Sequence, residues 1–357
     1  MSKNCKYDLA WDFSEGLAKV VKDNKYGFID TSGREVIPCI YDDAWDFHEG
    51  RAKVQLKGKR GYIDNTGREV IPCNYHETSH FSDGWARVEL DGKTVYFDKT
   101  GCEILTVCHK DFGLGDFHEG MARIFRGVPN GFIDKTGKEV IHLPEYFYAA
   151  DFCEGLATVT EGIITLADPE TDEEDSICET FGFIDKTGRE ITPCKYGGAN
   201  DFHDGLALVV LDGKRGFIDK SGVEVIPLQY DYAHDFQDGL AQVAIGNDCF
   251  FIDKSGKKVF SFSEHGILAA WDFSEGLAAA VIEVGGKRGY IDKTGRVVIP
   301  CKYDQANDFH DGLARVYIGD KGYFIDKTGR ELDITFYSDE VGKQKIIWPP
   351  KDEELPF

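Results

Sequence analysis

The sequence predicts an all-β repeat protein, and three observations lead to that fold class. Two short motifs recur nine times in a fixed order along the 357 residues. The composition is 13% aromatic, with 40 glycines and only two methionines. Aromatic residues favour strands, and glycine favours the tight turns between them. Because internal repetition overrides length as a guide to domain number, we expect a single repeat array over residues 5–333.

The first motif is a turn of the form D-x-[TS]-G. Five of its eight spacings are 34 residues, and its glycines are Gly33, Gly67, Gly101, Gly137, Gly188, Gly222, Gly256, Gly295 and Gly329. Glycine takes the positive φ angle that a tight reversal requires, and an aspartate side chain can accept hydrogen bonds from amides two or three residues on. We therefore expect Asp30, Asp64 and Asp98 to be turn residues.

The second motif, F-x-[ED]-G-x-A, opens a predicted three-stranded unit. In the second copy Ala52, Val54 and Leu56 alternate with polar residues, which is the period-two pattern of a half-buried strand. A second strand follows at G-[FY]-I-D and a third at E-V-I-P, where proline is expected to end the strand because it has no amide proton for the ladder. An alanine in every copy indicates close approach of a neighbouring backbone.

A unit of this size cannot bury enough apolar surface alone, so the nine units must stack on one another. We expect an open, twisted β-solenoid. The alternative is a closed β-propeller with the alanine strand innermost. Nine units exceed the about four to eight blades that are usual in propellers, and 34 residues are few for four strands.

The repeat consensus resembles a known family. Y-D-x-A-x-D-F-x-E-G-x-A-x-V, followed by G-[FY]-I-D-x-T-G-x-E-V-I-P, is similar to the WG, or KWG, β-repeats found mainly in bacterial proteins, and the likeness covers residues 5–333. The resemblance implies a repeat scaffold with no catalytic residues to carry over. The Trp-Gly pair in the family's name is missing from this chain, because the glycine that opens the second predicted strand follows Tyr26, Arg60, Arg215 or Arg288.

The charge is −22, from 63 acidic against 41 basic residues, which argues against binding to nucleic acid or anionic membranes. No segment has the roughly 18 apolar residues of a membrane helix, and the first residues lack the layout of a secretory signal. We therefore expect a cytoplasmic protein without membrane insertion. Cysteines such as Cys39 and Cys73 share one repeat slot and are expected to be reduced.

Two segments depart from the repeat. The insertion at 160–180 is strongly acidic and contains ADPETDEED, so we expect a mobile loop that projects from the array. The tail at 334–357 supplies Ile346, Ile347 and Trp348, which we expect to cap the last exposed edge of the array.

Motifs for catalysis or phosphate binding are missing from the sequence. Cys73, His76 and His80 form C-x2-H-x3-H, whose residue types could hold zinc, but they occupy repeat slots and have no evident fourth ligand. We therefore predict no metal, no cofactor and no catalytic residue. An enzyme with a site near Cys73 and His80 is the least favoured function.

The candidate binding residues occupy repeat positions that differ between copies. Trp11, Trp45 and Trp271 share the position before D-F, and they are expected to be partly exposed as interface anchors or sugar platforms. The basic residues of the first predicted strand are expected to point outward as a cationic stripe for an acidic partner, or else to pair with acids such as Glu35, Glu69 or Glu139. These residues are Lys19, Lys53, Arg87, Arg123 and Arg315, and the first four, in copies one to four, are the ones expected to form the stripe.

These patterns together predict a non-catalytic scaffold that binds a protein partner. The identity of that partner does not follow from the residues. A carbohydrate or cell-envelope binding module is the alternative, because tryptophan also stacks on sugars.

Overall fold

A computed structural model describes residues 5–90, 92–108, 113–125, 130–165, 176–282 and 285–338. The core of the acidic insertion, expected to be mobile, and the expected cap at Ile346, Ile347 and Trp348 lie outside the described residues.

The described strands form consecutive sheets along the chain. Sheet 1 contains β1 (Leu9–Ser14), β2 (Leu17–Lys22), β3 (Lys25–Asp30) and β4 (Glu35–Tyr41); sheet 2 contains β5 (Asp43–His48), β6 (Arg51–Leu56), β7 (Lys59–Asp64) and β8 (Glu69–Tyr75). Sheet 3 contains β9 (Trp85–Leu90), β10 (Lys93–Asp98) and β11 (Glu103–Cys108); sheet 4 contains β12 (Gly113–His118), β13 (Met121–Phe125), β14 (Asn130–Asp134) and β15 (Glu139–Leu143). Sheet 5 contains β16 (Tyr148–Ala149), β17 (Leu156–Thr165), β18 (Ser176–Asp185) and β19 (Glu190–Tyr196).

The remaining sheets follow the same order. Sheet 6 contains β20 (Gly198–Ala199), β21 (Leu206–Leu211), β22 (Lys214–Asp219) and β23 (Glu224–Tyr230); sheet 7 contains β24 (Tyr232–Ala233), β25 (Leu240–Ile245), β26 (Asp248–Asp253) and β27 (Lys258–Ser261), followed by helix α1 (Phe262–His265). Sheet 8 contains β28 (Ala269–Ala270), β29 (Leu277–Val281), β30 (Arg288–Asp292) and β31 (Val297–Tyr303); sheet 9 contains β32 (Gln305–His310), β33 (Leu313–Ile318), β34 (Lys321–Asp326) and β35 (Glu331–Tyr337). Among the described residues, no helix is long and apolar enough to span a membrane.

The chain divides into two compact units. The first comprises residues 1–80 and 266–357 and holds sheets 1, 2, 8 and 9, and the second comprises residues 81–265 and holds sheets 3 to 7. All strand pairs within the sheets are antiparallel neighbours in sequence, so each sheet is a simple meander.

The expectation of three strands in each unit is wrong for most copies, because the described residues form four-stranded sheets everywhere except in sheet 3. The additional strand is the link Y-D-x-A-x-D-F. In β5, Ala44 pairs with Val54 and Phe47 pairs with Ala52, and a β-bulge lies between the two pairs. The bulge contains Trp45 and the aspartate that follows it, so the irregular segment of the strand includes the tryptophan slot that varies between copies.

The repeated alanine lies on the second strand of every four-stranded sheet, not on the first, and in the three-stranded sheet 3 it lies on β9. Its members are at most 1% exposed: Ala18, Ala52, Ala86, Ala122, Ala157, Ala207, Ala241, Ala278 and Ala314. In the first unit, Ala52 shares a core with Phe28 of sheet 1 and Phe47 of sheet 2, whose rings meet edge to face at 5.0 Å. The predicted close approach is therefore confirmed, and it serves the packing of one sheet on the next.

The prolines of E-V-I-P do not end their strands, contrary to the expectation. Strand β8 continues through Pro72 to Tyr75, and its register with β7 shifts between Ile71 and Tyr75. The strand is at the edge of its sheet, where a missing amide proton costs no ladder bond. This irregular edge passes close to β7, since a Cβ atom on Gly61 would lie 2.4 Å from the Ile71 carbonyl oxygen.

The first and last sheets pack against each other within the first unit, so the open solenoid is wrong. Tyr7 forms a parallel bridge with Phe336, which lies in β35, the outer strand of sheet 9. Phe13 of sheet 1 meets Phe324 of sheet 9 at 4.9 Å between ring centroids. An open solenoid leaves its terminal sheets apart, whereas this contact defines the closed alternative. The fold is a β-propeller.

The acidic insertion lengthens the central hairpin of sheet 5. Strands β17 and β18 pair continuously from Leu156 opposite Asp185 to Thr165 opposite Ser176. The flanks of the insertion are therefore ordinary β-ladder.

Candidate functional site

The turn aspartates are held within their own turns, as predicted. Asp64 accepts hydrogen bonds from the Thr66 amide at 3.0 Å, the Thr66 hydroxyl at 2.6 Å and the Arg68 amide at 3.1 Å. Burial acts to raise the pKa of Asp64, but these bonds outweigh burial and lower the pKa to about 2. The same bonds recur in the other copies, for example at Asp30 and Asp98. These carboxylates stabilise turns.

In seven copies, the acid of the F-x-[ED]-G turn reaches the equivalent turn of a neighbouring repeat. Glu119 accepts a bond from the Gly155 amide at 2.9 Å, and Lys186 Nζ lies 3.0 Å from the same carboxylate. The same acid-to-glycine bond is made by Glu15, Asp83, Glu154, Asp204, Glu275 and Asp311. Sequence reasoning missed this role, because each bond joins residues in two different repeats.

A depression of about 280 Å³ lies at these turns in the first unit. Its acids already brace the scaffold, since Glu275 accepts from the Gly312 amide at 2.9 Å and Asp311 accepts from the Gly16 amide at 2.8 Å. The depression is therefore a surface between braced turns and a poor candidate for a ligand site.

A cation lies over the ring of each tryptophan in the slot before D-F. The pairs are Lys19 over Trp11 at 4.5 Å, Lys53 over Trp45 at 4.3 Å and Arg288 over Trp271 at 4.2 Å from the charged group to a ring centroid. Trp271 is 37% exposed, and the other two tryptophans are half-buried. Such contacts contribute about 0.5–1 kcal/mol each at exposed sites.

The residue before the glycine of the third strand, as in Tyr26-Gly27 and Arg60-Gly61, lies close to the tryptophan slot. The rings of Tyr26 and Trp11 are 5.9 Å apart, and the Arg60 guanidinium lies 5.4 Å from the Trp45 ring. These sheets thus carry the indole on the first strand, with tyrosine or arginine where the family name places tryptophan.

The basic residues that follow the repeated alanine are not exposed as an outward stripe requires, because Lys53 and Arg315 are buried and Lys19, Arg87 and Arg123 are half-buried. Arg315 is 8% exposed. Its guanidinium donates to the Asp12 carboxylate at 3.0 and 3.2 Å and to the Ala10 carbonyl at 2.7 Å. The bulge before Phe13 places this aspartate within reach of sheet 9, and the resulting ion pair joins the two sheets.

The same pairing recurs within each unit. The pairs are Lys19 with Asp46, Arg87 with Asp116 and Arg123 with Asp151. The partner is the D-F aspartate of the next sheet and not the strand acids Glu35, Glu69 or Glu139. In the third copy His80 replaces that aspartate, and Lys53, also 8% exposed, donates to the Thr78 carbonyl at 3.3 Å.

The structure does not gather Cys73, His76 and His80 into one site. His76 contacts Lys59, and the His80 ring packs edge to face on His48 at 4.8 Å. Burial raises the pKa of the Cys73 thiol to about 11, which keeps it protonated and a weak metal ligand. Within the described ranges, no three His, Cys, Asp or Glu side chains are arranged to hold a metal ion.

A cavity of about 350 Å³ opens in the second unit, beside sheets 5 and 6. Tyr148, Phe181, Asp201, His203 and Asp235 contribute to its lining. It combines aromatic walls with two carboxylates, and its volume lies within the roughly 300–1,000 Å³ of small-molecule sites.

The cavity lies where consecutive copies lack both the tryptophan and the base. Ala150 and Asn200 occupy the tryptophan slot, while Thr158 and Leu208 occupy the basic slot. The Thr158 hydroxyl donates to the Asp201 carboxylate at 2.9 Å. Sequence reasoning missed these residues because it looked for bases that were present. The loss of tryptophan and base at the same copies was the available signal.

A meander repeated nine times in the described residues, with its first and last sheets in contact, defines a repeat β-propeller protein. The sequence pattern of the WG-containing repeat matches residues 4–26, 26–59, 61–93, 131–162, 181–214, 216–248 and 289–321, which is more than half of the chain. The chain belongs to the WG-containing repeat family. No curated protein matches it.

Three solved structures are similar to this chain at low sequence identity. A eukaryotic initiation factor is 10% identical with a TM-score of 0.51, and the match covers 94% of this chain and 90% of that one. Hsv2 of Kluyveromyces lactis is 10% identical with a TM-score of 0.36, covering 72% and 95% of the two chains. AztD of Citrobacter koseri is 11% identical with a TM-score of 0.36, covering 92% and 94%. The first likeness concerns fold alone.

Proposed function

We propose that this chain is a non-catalytic scaffold that binds a protein partner. The observation that carries the proposal is the set of tryptophan–cation pairs in sheets 1, 2 and 8 of the first unit. Tryptophan and arginine are the residues that most often dominate binding energy at protein interfaces. Trp271, 37% exposed beside Arg288, is the most accessible anchor of the set.

The repeated carboxylates support a binding role over a catalytic one. A general acid or base needs a proton that can be exchanged with a substrate. Asp64 is committed to its turn, and Glu119 is committed to the amide of Gly155. With a formal charge of −22, the chain is also poorly suited to nucleic acid, and we retain a cytoplasmic protein partner as the expectation.

Carbohydrate binding is the competing proposal. A sugar ring stacks on an open indole face, and in each of the three pairs a cation already lies over the ring. A tryptophan flanked by charge is better matched to an apolar side chain with an acidic neighbour on a protein.

The test compares capture of proteins from the source cells by the full chain and by Trp11→Ala, Trp45→Ala and Trp271→Ala. Asn307→Ala is the matched control, because Asn307 occupies the same slot of sheet 9 without an aromatic ring. We expect a protein that binds saturably to the wild type and control and about tenfold more weakly to Trp271→Ala. A partner bound equally by all variants contradicts the proposal, as does glycan binding that depends on Trp271.

A further inference from the structure

We propose that the cavity beside Thr158 binds a guanidinium or ammonium group supplied by a ligand. The inference is independent of the protein-binding proposal, which concerns the tryptophans of the first unit. The group can belong to a free small molecule or to a side chain of a peptide, and the chemistry of recognition is the same for both.

Arg123, one repeat earlier in the same unit, shows what this slot holds. Its guanidinium donates to the Asp151 carboxylate at 2.7 and 3.0 Å and to the Tyr148 hydroxyl at 3.0 Å. It also lies 3.3 Å from the Ala149 carbonyl oxygen and 5.7 Å from the Tyr148 ring centroid. A cation in this slot is thus bound by a carboxylate, a carbonyl and an aromatic ring.

The fifth copy keeps the carboxylate and loses the cation. Asp201 occupies the position of Asp151, and Thr158 occupies the position of Arg123. Thr158 is 6% exposed and reaches Asp201 only through its hydroxyl, at 2.9 Å. The shorter side chain, together with the small residue Ala150 in the tryptophan slot, leaves the volume of the cavity open.

The cavity walls suit a cation better than a neutral group. Phe181 is half-buried in the wall, and Tyr148 forms a second aromatic wall at 44% exposure. Cations are attracted to the faces of such rings, and carboxylates favour them further where water is partly excluded. Asp235 adds a second carboxylate, which accepts a hydrogen bond from Asn200 Nδ2 at 2.8 Å.

A planar guanidinium can bond a carboxylate through two parallel N–H groups, as Arg123 does with Asp151. We therefore expect arginine derivatives to bind more tightly than lysine derivatives. Citrulline has nearly the same shape without the charge, so it separates recognition of charge from filling of space.

The test is to titrate the full chain with N-acetylarginine amide, N-acetyllysine amide and N-acetylcitrulline amide. Calorimetry measures the binding of each compound. We expect saturable binding of the arginine compound, at least tenfold weaker binding of the citrulline compound, and tenfold weaker arginine binding by Asp201→Asn. Thr158→Arg should abolish binding, because an internal guanidinium then occupies the cavity. Asp212→Asn, a turn acid of sheet 6 with the same change in charge, should bind as the wild type does.

No binding of either cationic amide by the folded wild type overturns the inference. So does equal binding of arginine and citrulline compounds, or undiminished binding by both Asp201→Asn and Thr158→Arg. A peptide with a central arginine identifies the source. Binding at least tenfold tighter than the free amide assigns the group to a protein side chain, and equal binding assigns it to a small molecule.

Discussion

The turn aspartates and the D-F aspartates both recur along the chain, yet their surroundings differ. Asp64 is bonded by the amides and hydroxyl of its own turn, and other turn copies are bonded in the same way. The D-F acids instead depend on a neighbouring sheet, which supplies Arg315 to Asp12 and Thr158 to Asp201. A repeated acid therefore does not identify a site by itself. The residue that contacts the acid differs between copies, and we propose that this difference separates the acids of the scaffold from those of the candidate cavity.

The largest expected effect comes from removing a buried cation. Arg315→Ala leaves the Asp12 carboxylate and the Ala10 carbonyl without their shared donor. We expect the free energy of unfolding to fall by about 3 kcal/mol in urea denaturation. Arg330→Ala is the control, because its side chain is 80% exposed beside Asp326, and it should cost less than about 0.5 kcal/mol. If Arg315→Ala lowers the free energy of unfolding as little as Arg330→Ala does, Arg315 is not needed for stability.

The next effect concerns a turn carboxylate and depends on pH. Asp64→Asn removes the charged acceptor of four bonds and should lower the free energy of unfolding by about 2 kcal/mol at neutral pH. The folded-state pKa of about 2 lies below the ordinary value, so the stabilisation is present above the ordinary pKa and is lost as the pH falls towards 2. Urea titrations at decreasing pH should show the two proteins converging, and a constant difference would contradict this account.

A smaller effect is expected at the slot without a cation. Thr158→Val removes the hydroxyl that donates to Asp201 and should lower the free energy of unfolding by about 1 kcal/mol. Thr158→Ser keeps the hydroxyl and should lose less than half as much. If the serine and valine variants are equally destabilised, the bond to Asp201 contributes nothing measurable.

The smallest effect tests whether the two kinds of slot are interchangeable. Thr158→Arg should restore the arrangement of Arg123 and Asp151 and raise the free energy of unfolding by about 0.5 kcal/mol. The gain should vanish when Asp201→Asn is added, as measured in a double-mutant cycle. A gain that persists without the carboxylate would mean that packing, not charge, is responsible.

The sequence predicted the features that depend on local contacts. The Asp64 turn closes over four residues, and the alternation around Ala52 marks its strand, so both could be recognised from one copy of the repeat. The first strand was missed because the bulge between Ala44 and Phe47 breaks the period-two pattern.

The candidate site was harder to predict because it depends on neighbouring sheets. Lys53 looked like an exposed residue of an amphipathic strand, yet it is 8% exposed, with its amine over the Trp45 ring and donating to the Thr78 carbonyl. Phe181 and Asp201 meet at one cavity only once sheets 5 and 6 are packed. Contact between the first and last sheets was equally invisible, since no local pattern relates Phe13 to Phe324.

The pairing of Tyr7 with Phe336 has a consequence for how the protein is made. The amide of Lys6 bonds to Thr335 across 329 residues of sequence. During synthesis, the first repeat can therefore form its contact with the last repeat only after nearly every other repeat has left the ribosome. Contacts of such long sequence separation form slowly, and a waiting edge can instead pair with the last repeat of another nascent chain. We therefore expect the risk of strand exchange between molecules to be highest when several chains are synthesised side by side.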